Sequence, residues 1–285
     1  MNTVNQTFNW SRFTAALRKE LVENKRGILF TIIGIYGLLT MIMIFGNLVT
    51  GINVDAYEEA WSDNMPKGLI GAIMSFVICV SASLAFRNLT SKTGRTYLFT
   101  SPSSTLEKFL VNVLVYVVGV IAVYLACAQL ADLTRIAVLW WFKSENFIVP
   151  GPINFLDCVG AMSWSFNDIS ELSKATQGIA VAMWFSLIAS AGLYLLGSVL
   201  WPRLALLKTW AAVYAIEFSL FIIAAPLFYF FGDMNAIGYW VLNFITSSKL
   251  SITMIIWTIV YGLLVWTLAW YVFKHKDVVS LKWWK

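Results

Sequence analysis

Gly27-Ile-Leu-Phe-Thr-Ile-Ile-Gly-Ile-Tyr-Gly-Leu-Leu-Thr-Met-Ile-Met-Ile-Phe-Gly-Asn-Leu-Val49 carries no charge between Lys25-Arg26 and Asp55. As a helix rising about 1.5 Å per residue, the run is long enough to cross the roughly 30 Å hydrocarbon core of a bilayer. Runs of the same kind follow at 68–86, 109–131, 178–200, 209–232 and 251–273, bounded by charges, Trp or Pro. The composition fits lipid as the solvent: 59% of the 285 residues are hydrophobic and 12% charged, about half the charge of a soluble domain. Cys79, Cys127 and Cys158 have no paired spacing, which argues against a metal cluster or a disulfide scaffold. The sequence therefore predicts an all-α integral membrane protein with six transmembrane helices.

Lys and Arg residues orient those spans. Arg12, Arg18, Lys19, Lys25 and Arg26 precede the first; Arg87, Lys92, Arg95 and Lys108 lie between the second and third; Arg203 and Lys208 follow the fourth; Lys274, Lys276, Lys282 and Lys285 follow the sixth. Only Lys67, Arg135, Lys143, Lys174 and Lys249 fall in the opposite loops. Both termini are expected in the cytoplasm, with the first span as an uncleaved signal anchor, since the first 26 residues lack the short apolar core of a signal peptide. The net charge of +5 then resolves into a basic cytoplasmic face suited to anionic lipid headgroups, not to nucleic acid.

Within that cytoplasmic face two segments stand out. Before the first span, Trp10, Phe13, Leu17 and Leu21 recur at helical spacing while Arg12, Arg18, Lys19, Glu23 and Arg26 lie mostly elsewhere on the wheel. Residues 1–26 are thus expected to hold an amphipathic helix lying on the inner leaflet. In the loop 87–108, Gly94 permits a break, Tyr97-Leu98-Phe99 forms an apolar patch outside the bilayer, Ser101 is expected to cap a helix, and Pro102 to occupy its first turn. An apolar patch in that place is suited to a groove on a soluble protein.

The segment Gly94-Arg-Thr-Tyr-Leu-Phe-Thr-Ser-Pro-Ser-Ser-Thr-Leu-Glu-Lys-Phe-Leu110 resembles the intracellular loop of ABC-2 type permeases, the membrane subunits of one class of ATP-binding cassette exporters. There a Gly, a Leu-rich turn and a Pro precede a coupling helix. Arg95 stands where that family often has Thr, and Ser103, Ser104 and Thr105 where it often has Arg. The layout also matches: an elbow helix formed by Trp10, Phe13, Leu17 and Leu21, six spans, and cytoplasmic ends. The resemblance implies a permease subunit of a bacterial cytoplasmic membrane, paired with a second copy or a paralogue and with two copies of a separate ATPase. It implies that Gly94, Arg95, Tyr97, Leu98, Phe99, Ser101, Pro102, Leu106 and Glu107 couple the permease to that ATPase. ATP and Mg would be bound by the partner; this chain has no G-x-x-x-x-G-K-[ST] stretch and no catalytic motif.

The remaining features are local. Asp132 to Phe142 either continues helix three, with Asp132 and Arg135 one turn apart, or lies in the outer interface as part of a long outer loop, 132–177. Residues 237–245 are too short to span and too apolar to float, and read as an interfacial or re-entrant helix. Glu217 is the ionisable residue inside a span, either a pathway contact or a carboxylate neutralised by a proton or a neighbouring hydroxyl. Pro226 is expected to kink the same helix. The pairs Ser81 and Ala85, and Ser186 and Ser190, permit close helix approach. Neither His275, in the basic tail, nor Glu58-Glu59, with no partner at metal-binding spacing, supports an enzyme. The rival readings are an ion-coupled secondary transporter, which normally carries several intramembrane acids or internal repeats, and a noncatalytic membrane interaction or immunity protein.

Overall fold

The structure, a computed structural model, describes residues 8–50, 64–141, 173–231 and 249–276. Every regular element among the described residues is helical. The helices are α1 (Trp10–Glu23), α2 (Lys25–Thr50), α3 (Asn64–Leu84), a 3-10 turn (Arg87–Thr90), α4 (Lys92–Thr100), α5 (Thr105–Val113), a π-helical stretch (Leu114–Gly119), α6 (Val120–Trp141), α7 (Ser173–Leu200), α8 (Ala205–Phe231) and α9 (Lys249–Lys274). Five stretches, Lys25–Phe45, Thr105–Trp141, Val181–Leu200, Ala205–Ile223 and Ile252–Lys274, are long and apolar enough to cross a membrane. Leu69–Leu84 is apolar and shorter. The chain is thus an all-α multi-pass membrane protein. The expected interfacial segment at 237–245, most of the outer loop and the tail beyond Lys276 lie outside the described residues.

Several boundaries differ from those read in the sequence, each for a physical reason. The amino-terminal helix stops at Glu23 because Asn24 caps it, its N–H donating to the Glu20 carbonyl; Lys25 and Arg26 already belong to α2. The third run is part of one 37-residue helical stretch from Thr105 to Trp141. At about 1.5 Å per residue that is roughly 55 Å, well beyond the hydrocarbon thickness. The first part of the expected outer loop is therefore helical. Its continuation is secured by Asp132 and Arg135, both buried, with Arg135 Nη2 2.8 Å from Asp132 Oδ1.

The chain divides into two units, Met1–Ser81 with Ser101–Ser165, and Ala82–Thr100 with Phe166–Lys285. In the first, α2 packs on α6. Its core includes Ile35, Leu39 and Met43 of α2, Ile70, Met74 and Ile78 of α3, and Tyr124, Ala128 and Ala131 of α6. Tyr124, with no exposed surface, donates its hydroxyl to the Ile70 carbonyl at 2.7 Å, which satisfies the phenol and ties α6 to α3. Ser81 donates to the Tyr116 carbonyl at 2.7 Å inside the π-helical stretch, where the regular hydrogen-bond ladder changes pitch.

The second unit is built on α7 against α9. Leu187, Ala191, Leu195 and Val199 face a core shared with Val265, Ala269 and Phe273. Close approach depends on Gly192: a Cβ there would lie 2.7 Å from the Trp266 indole nitrogen, which donates to the Ile188 carbonyl at 3.1 Å. Small residues let dispersion contacts hold helices together where lipid offers no hydrophobic drive. The small residues that pack here include Ala189 and Gly262; the expected Ser186 and Ser190 hydroxyls bond back to carbonyls of their own helix.

A buried ion pair resists loss of one member far more than loss of both. Asp132→Asn should therefore cost about 3–5 kcal/mol, and Asp132→Leu with Arg135→Met should recover most of it. Thermal unfolding of the three proteins in one detergent tests this; a double variant as unstable as the single one would show that the pair itself carries the stability.

Candidate functional site

The loop resembling a coupling segment falls in two parts, residues up to Thr100 in the second unit and residues from Ser101 in the first. In the second unit the 3-10 turn Arg87–Thr90 leads through Ser91 into α4. Ser91 Oγ accepts the Gly94 N–H at 2.9 Å. A Cβ on Gly94 would collide with the Asn88 carbonyl oxygen and approach Ser91 Oγ to 2.8 Å, so this position admits glycine because the preceding turn folds directly over it. Tyr97 is half exposed and Leu98 half buried. The Phe99 side chain lies outside what is described. Arg95 is half buried, and its Nε has no hydrogen-bond partner among the described residues.

In the first unit, the helix cap is Ser104, not Ser101. Ser104 Oγ accepts the Glu107 N–H at 3.2 Å while Glu107 Oε2 accepts the Ser104 N–H at 2.8 Å, a reciprocal capping box. Ser104-Thr-Leu-Glu107 is the S-x-x-E signature of that motif, a signal the sequence offered and Pro102 obscured. Pro102 sits in the bend ahead of α5, exposed. Ser101 instead shares a hydrogen bond with Ser103 at 3.2 Å, and its carbonyl accepts Lys108 Nζ at 3.2 Å.

Glu107 is the centre of the arrangement. It has no exposed surface. Its second oxygen accepts the Asn9 N–H at 2.8 Å and lies 3.2 Å from Arg12 Nη2. One carboxylate thus satisfies the amino-terminal ends of two helices, reaching Asn9 from 98 residues along the chain, and compensates its own burial with a guanidinium. Asn9 completes the junction as cap of α1, Oδ1 accepting the Ser11 N–H at 3.0 Å. A second tie lies two turns further on, where Tyr116 donates to Glu20 Oε1 at 3.3 Å and Asn24 to the same oxygen at 2.7 Å. Burial pushes the Glu20 carboxyl above its ordinary value, against the opposing pull of these two hydrogen bonds.

The other sequence-predicted residues separate. Phe13 is buried and Leu17 half buried, whereas Trp10 is 67% and Leu21 43% exposed. The predicted apolar stripe is therefore split between protein and surroundings. Phe8, Trp10 and Phe13 gather their rings at 5.4 to 6.1 Å, a small aromatic cluster at the start of α1. Leu106 is exposed beside the buried Glu107. Glu217 lies on α8, exposed, without a hydrogen-bond partner among the described residues and within electrostatic reach of Tyr261 on α9. The Ser219 hydroxyl, two residues on, donates to the Ile216 carbonyl of its own helix. No group of His, Cys, Asp and Glu among the described residues is arranged to hold a metal. Compared with protein-family models, curated proteins and solved structures, the chain matches none.

Two measurements follow from this geometry. Glu107→Gln replaces one acceptor oxygen by a donor, orphaning a backbone N–H at one helix start, and should weaken the junction by about 1–3 kcal/mol. Hydrogen exchange should then show faster exchange at the Asn9 or Ser104 amide, with the α7–α9 amides unchanged; equal protection in both proteins would refute the anchor. For Glu20, the fold favours the protonated form. Its effect on stability is therefore unfavourable and grows as pH rises upward from the ordinary value of 4.5. Glu20→Gln should gain on the wild type across that window and hold a constant margin at higher pH, and a margin that shrinks with rising pH would contradict the assignment.

Proposed function

We propose that the chain is the membrane-spanning permease subunit of an ABC transporter of the ABC-2 type, working in export and driven by a separate ATPase. The observation that carries this reading is the segment Gly94–Leu110: a short helix that carries Gly94, the half-exposed Tyr97 and the half-buried Leu98, followed by a capped helix that continues through a membrane-capable stretch. A push on such a segment is delivered directly to a helix that crosses lipid. In this reading Leu69–Leu84 with the residues ahead of it forms a sixth span, and α1 is the cytoplasmic elbow helix.

The Glu107 junction supports the same reading on mechanical grounds. Coupling needs a part that transmits displacement without deforming, and α1 bonded to the start of α5 through a buried carboxylate is such a part. ATP-driven closure of the partner ATPase then moves the loop from Thr96 to Lys108, tilts spans two and three, and alternates access to a pathway. The exposed α8 surface around Glu217 is assigned to a second copy of the permease, since a carboxylate among exposed Ile216, Phe218 and Leu220 is unsuited to lipid.

Purification of the chain from its own cells in a mild detergent tests the reading. A stoichiometric soluble ATPase should co-elute, and Leu98→Glu with Phe99→Glu should release it while the chain keeps its elution volume. Repeated recovery of an intact chain without any ATPase, still binding or moving a solute, would overturn the assignment.

A further inference from the structure

The second unit gathers cations at one end, by contacts that can be followed from element to element. Thr90 of the 3-10 turn donates to the Pro202 carbonyl at 3.1 Å, next to Arg203 in the turn between α7 and α8. Phe86 packs against Phe273 with ring centroids 4.7 Å apart and planes tilted by 35°, next to Arg87 on one side and Lys274 on the other. Lys276 reaches back to donate to the Val199 carbonyl near the end of α7. Arg95 lies close enough to Lys276 for the two charges to repel, and burial together with that repulsion holds the Lys276 ammonium below its ordinary value.

These segments contain no acid. Residues 85–100, 200–210 and 273–276 carry Arg87, Arg95, Arg203, Lys208, Lys274 and Lys276, among others, and neither Asp nor Glu. Asp277, next along the chain, would offset a single charge. Like charges held together without a counter-charge raise the free energy of the fold unless an anion joins them. The position of the cluster identifies the anion. It lies at the ends of α7, α8 and α9, where membrane-capable stretches stop at Leu200, begin at Ala205 and stop at Lys274. Its surroundings are exposed and apolar: Trp201, Leu204, Leu207 and Trp210, with indoles of the kind that sit at the headgroup level. Leu204 is 67% exposed and holds its backbone at φ 57°, a left-handed conformation that is strained for leucine, while its carbonyl accepts the Lys208 N–H at 3.0 Å at the start of α8.

We propose that this end of the second unit is a binding site for the phosphate headgroup of an anionic phospholipid, with Arg95 and Lys276 as inner cations, Arg203, Lys208 and Lys274 at the rim, and Trp201, Leu204 and Trp210 against the acyl chains. A soluble acidic partner would meet the cations but leave that apolar collar in water, whereas a lipid covers both. The site belongs to the permease chain alone, so its test needs no ATPase and no cargo.

The full chain, purified in mild detergent, is titrated with dioleoyl-phosphatidylglycerol and separately with dioleoyl-phosphatidylcholine, and bound lipid is counted by native mass spectrometry. The rim variant Arg203→Gln, Lys208→Gln, Lys274→Gln changes exposed side chains and leaves the Lys276 contact to α7 in place. Affinity for phosphatidylglycerol should fall about fivefold per cation, on the order of a hundredfold for the triple variant. Removing as many charges elsewhere, by Arg18→Gln and Lys19→Gln in α1 with Lys25→Gln at the start of α2 and Arg12 kept, should leave this binding largely unchanged. Equal binding of both lipids by the wild type, or full retention by the rim variant, overturns the proposal. Competition by millimolar inorganic phosphate would show a free-anion site and overturn the lipid assignment, whereas indifference to it supports that assignment.

Discussion

Hydrocarbon offers no partner to a peptide N–H or C=O, and each unsatisfied group there costs several kcal/mol. That constraint dictates helices, and it also explains how the polar side chains of this protein are spent. Tyr124 serves the Ile70 carbonyl, Ser81 the Tyr116 carbonyl, Trp266 the Ile188 carbonyl and Lys276 the Val199 carbonyl. Each of these ties one helix to another while adding an acceptor's missing donor or sharing an occupied one. These contacts between helices rest on small residues for approach and on single donors for register.

Glu107 shows the same economy outside the apolar spans. A helix start exposes N–H groups that nothing in the helix can accept, and two such starts meet at one carboxylate. Burying that charge is unfavourable taken alone. Three donors, two of them backbone groups fixed by the helices themselves, reverse the balance, because those two positions are pre-set and only the Arg12 side chain has to be ordered. The consequence is stiffness: α1 cannot swing relative to the start of α5 without stripping donors from a buried acid. Leu106, next to Glu107 on the same helix, is exposed, so one turn of α5 carries both a buried anchor and an exposed apolar side chain.

What could be read from the sequence follows the range of the forces involved. Span positions were legible because hydrocarbon thickness imposes a run length; α7, α8 and α9 begin within five residues of the runs that predicted them. The Asp132–Arg135 pair was legible because helical spacing alone brings it together. The cap at Ser104 was legible in principle, but Ser101-Pro102 offered a competing start whose proline the chain uses for a bend. The partner of Glu107 was not legible: nothing in local periodicity links an acid to Asn9 and Arg12 at the far end of the amino-terminal segment. The cations of the second unit were legible as members of one basic face, from the Lys and Arg counts, but not which of them gather at one end, since they come from three separate loops.

Glu217 is the converse problem, an acid placed in a helix otherwise apolar enough to cross lipid. Its cost at mid-span is about 2.5–3.5 kcal/mol on insertion scales, while each surrounding Ile, Leu or Phe returns about 0.3–0.6 kcal/mol. With Ile216, Phe218, Leu220, Phe221, Ile222 and Ile223 all exposed on the same helix, the stretch around the acid gains about as much as the acid loses. Insertion is therefore not what the carboxylate obstructs. What it disfavours is α8 remaining surrounded by lipid, because that cost persists until protein or water faces the acid. A helix that is apolar enough to insert and carries one acid without a hydrogen-bond partner among the described residues is biased towards association, which supports the proposed contact of α8 with a second copy.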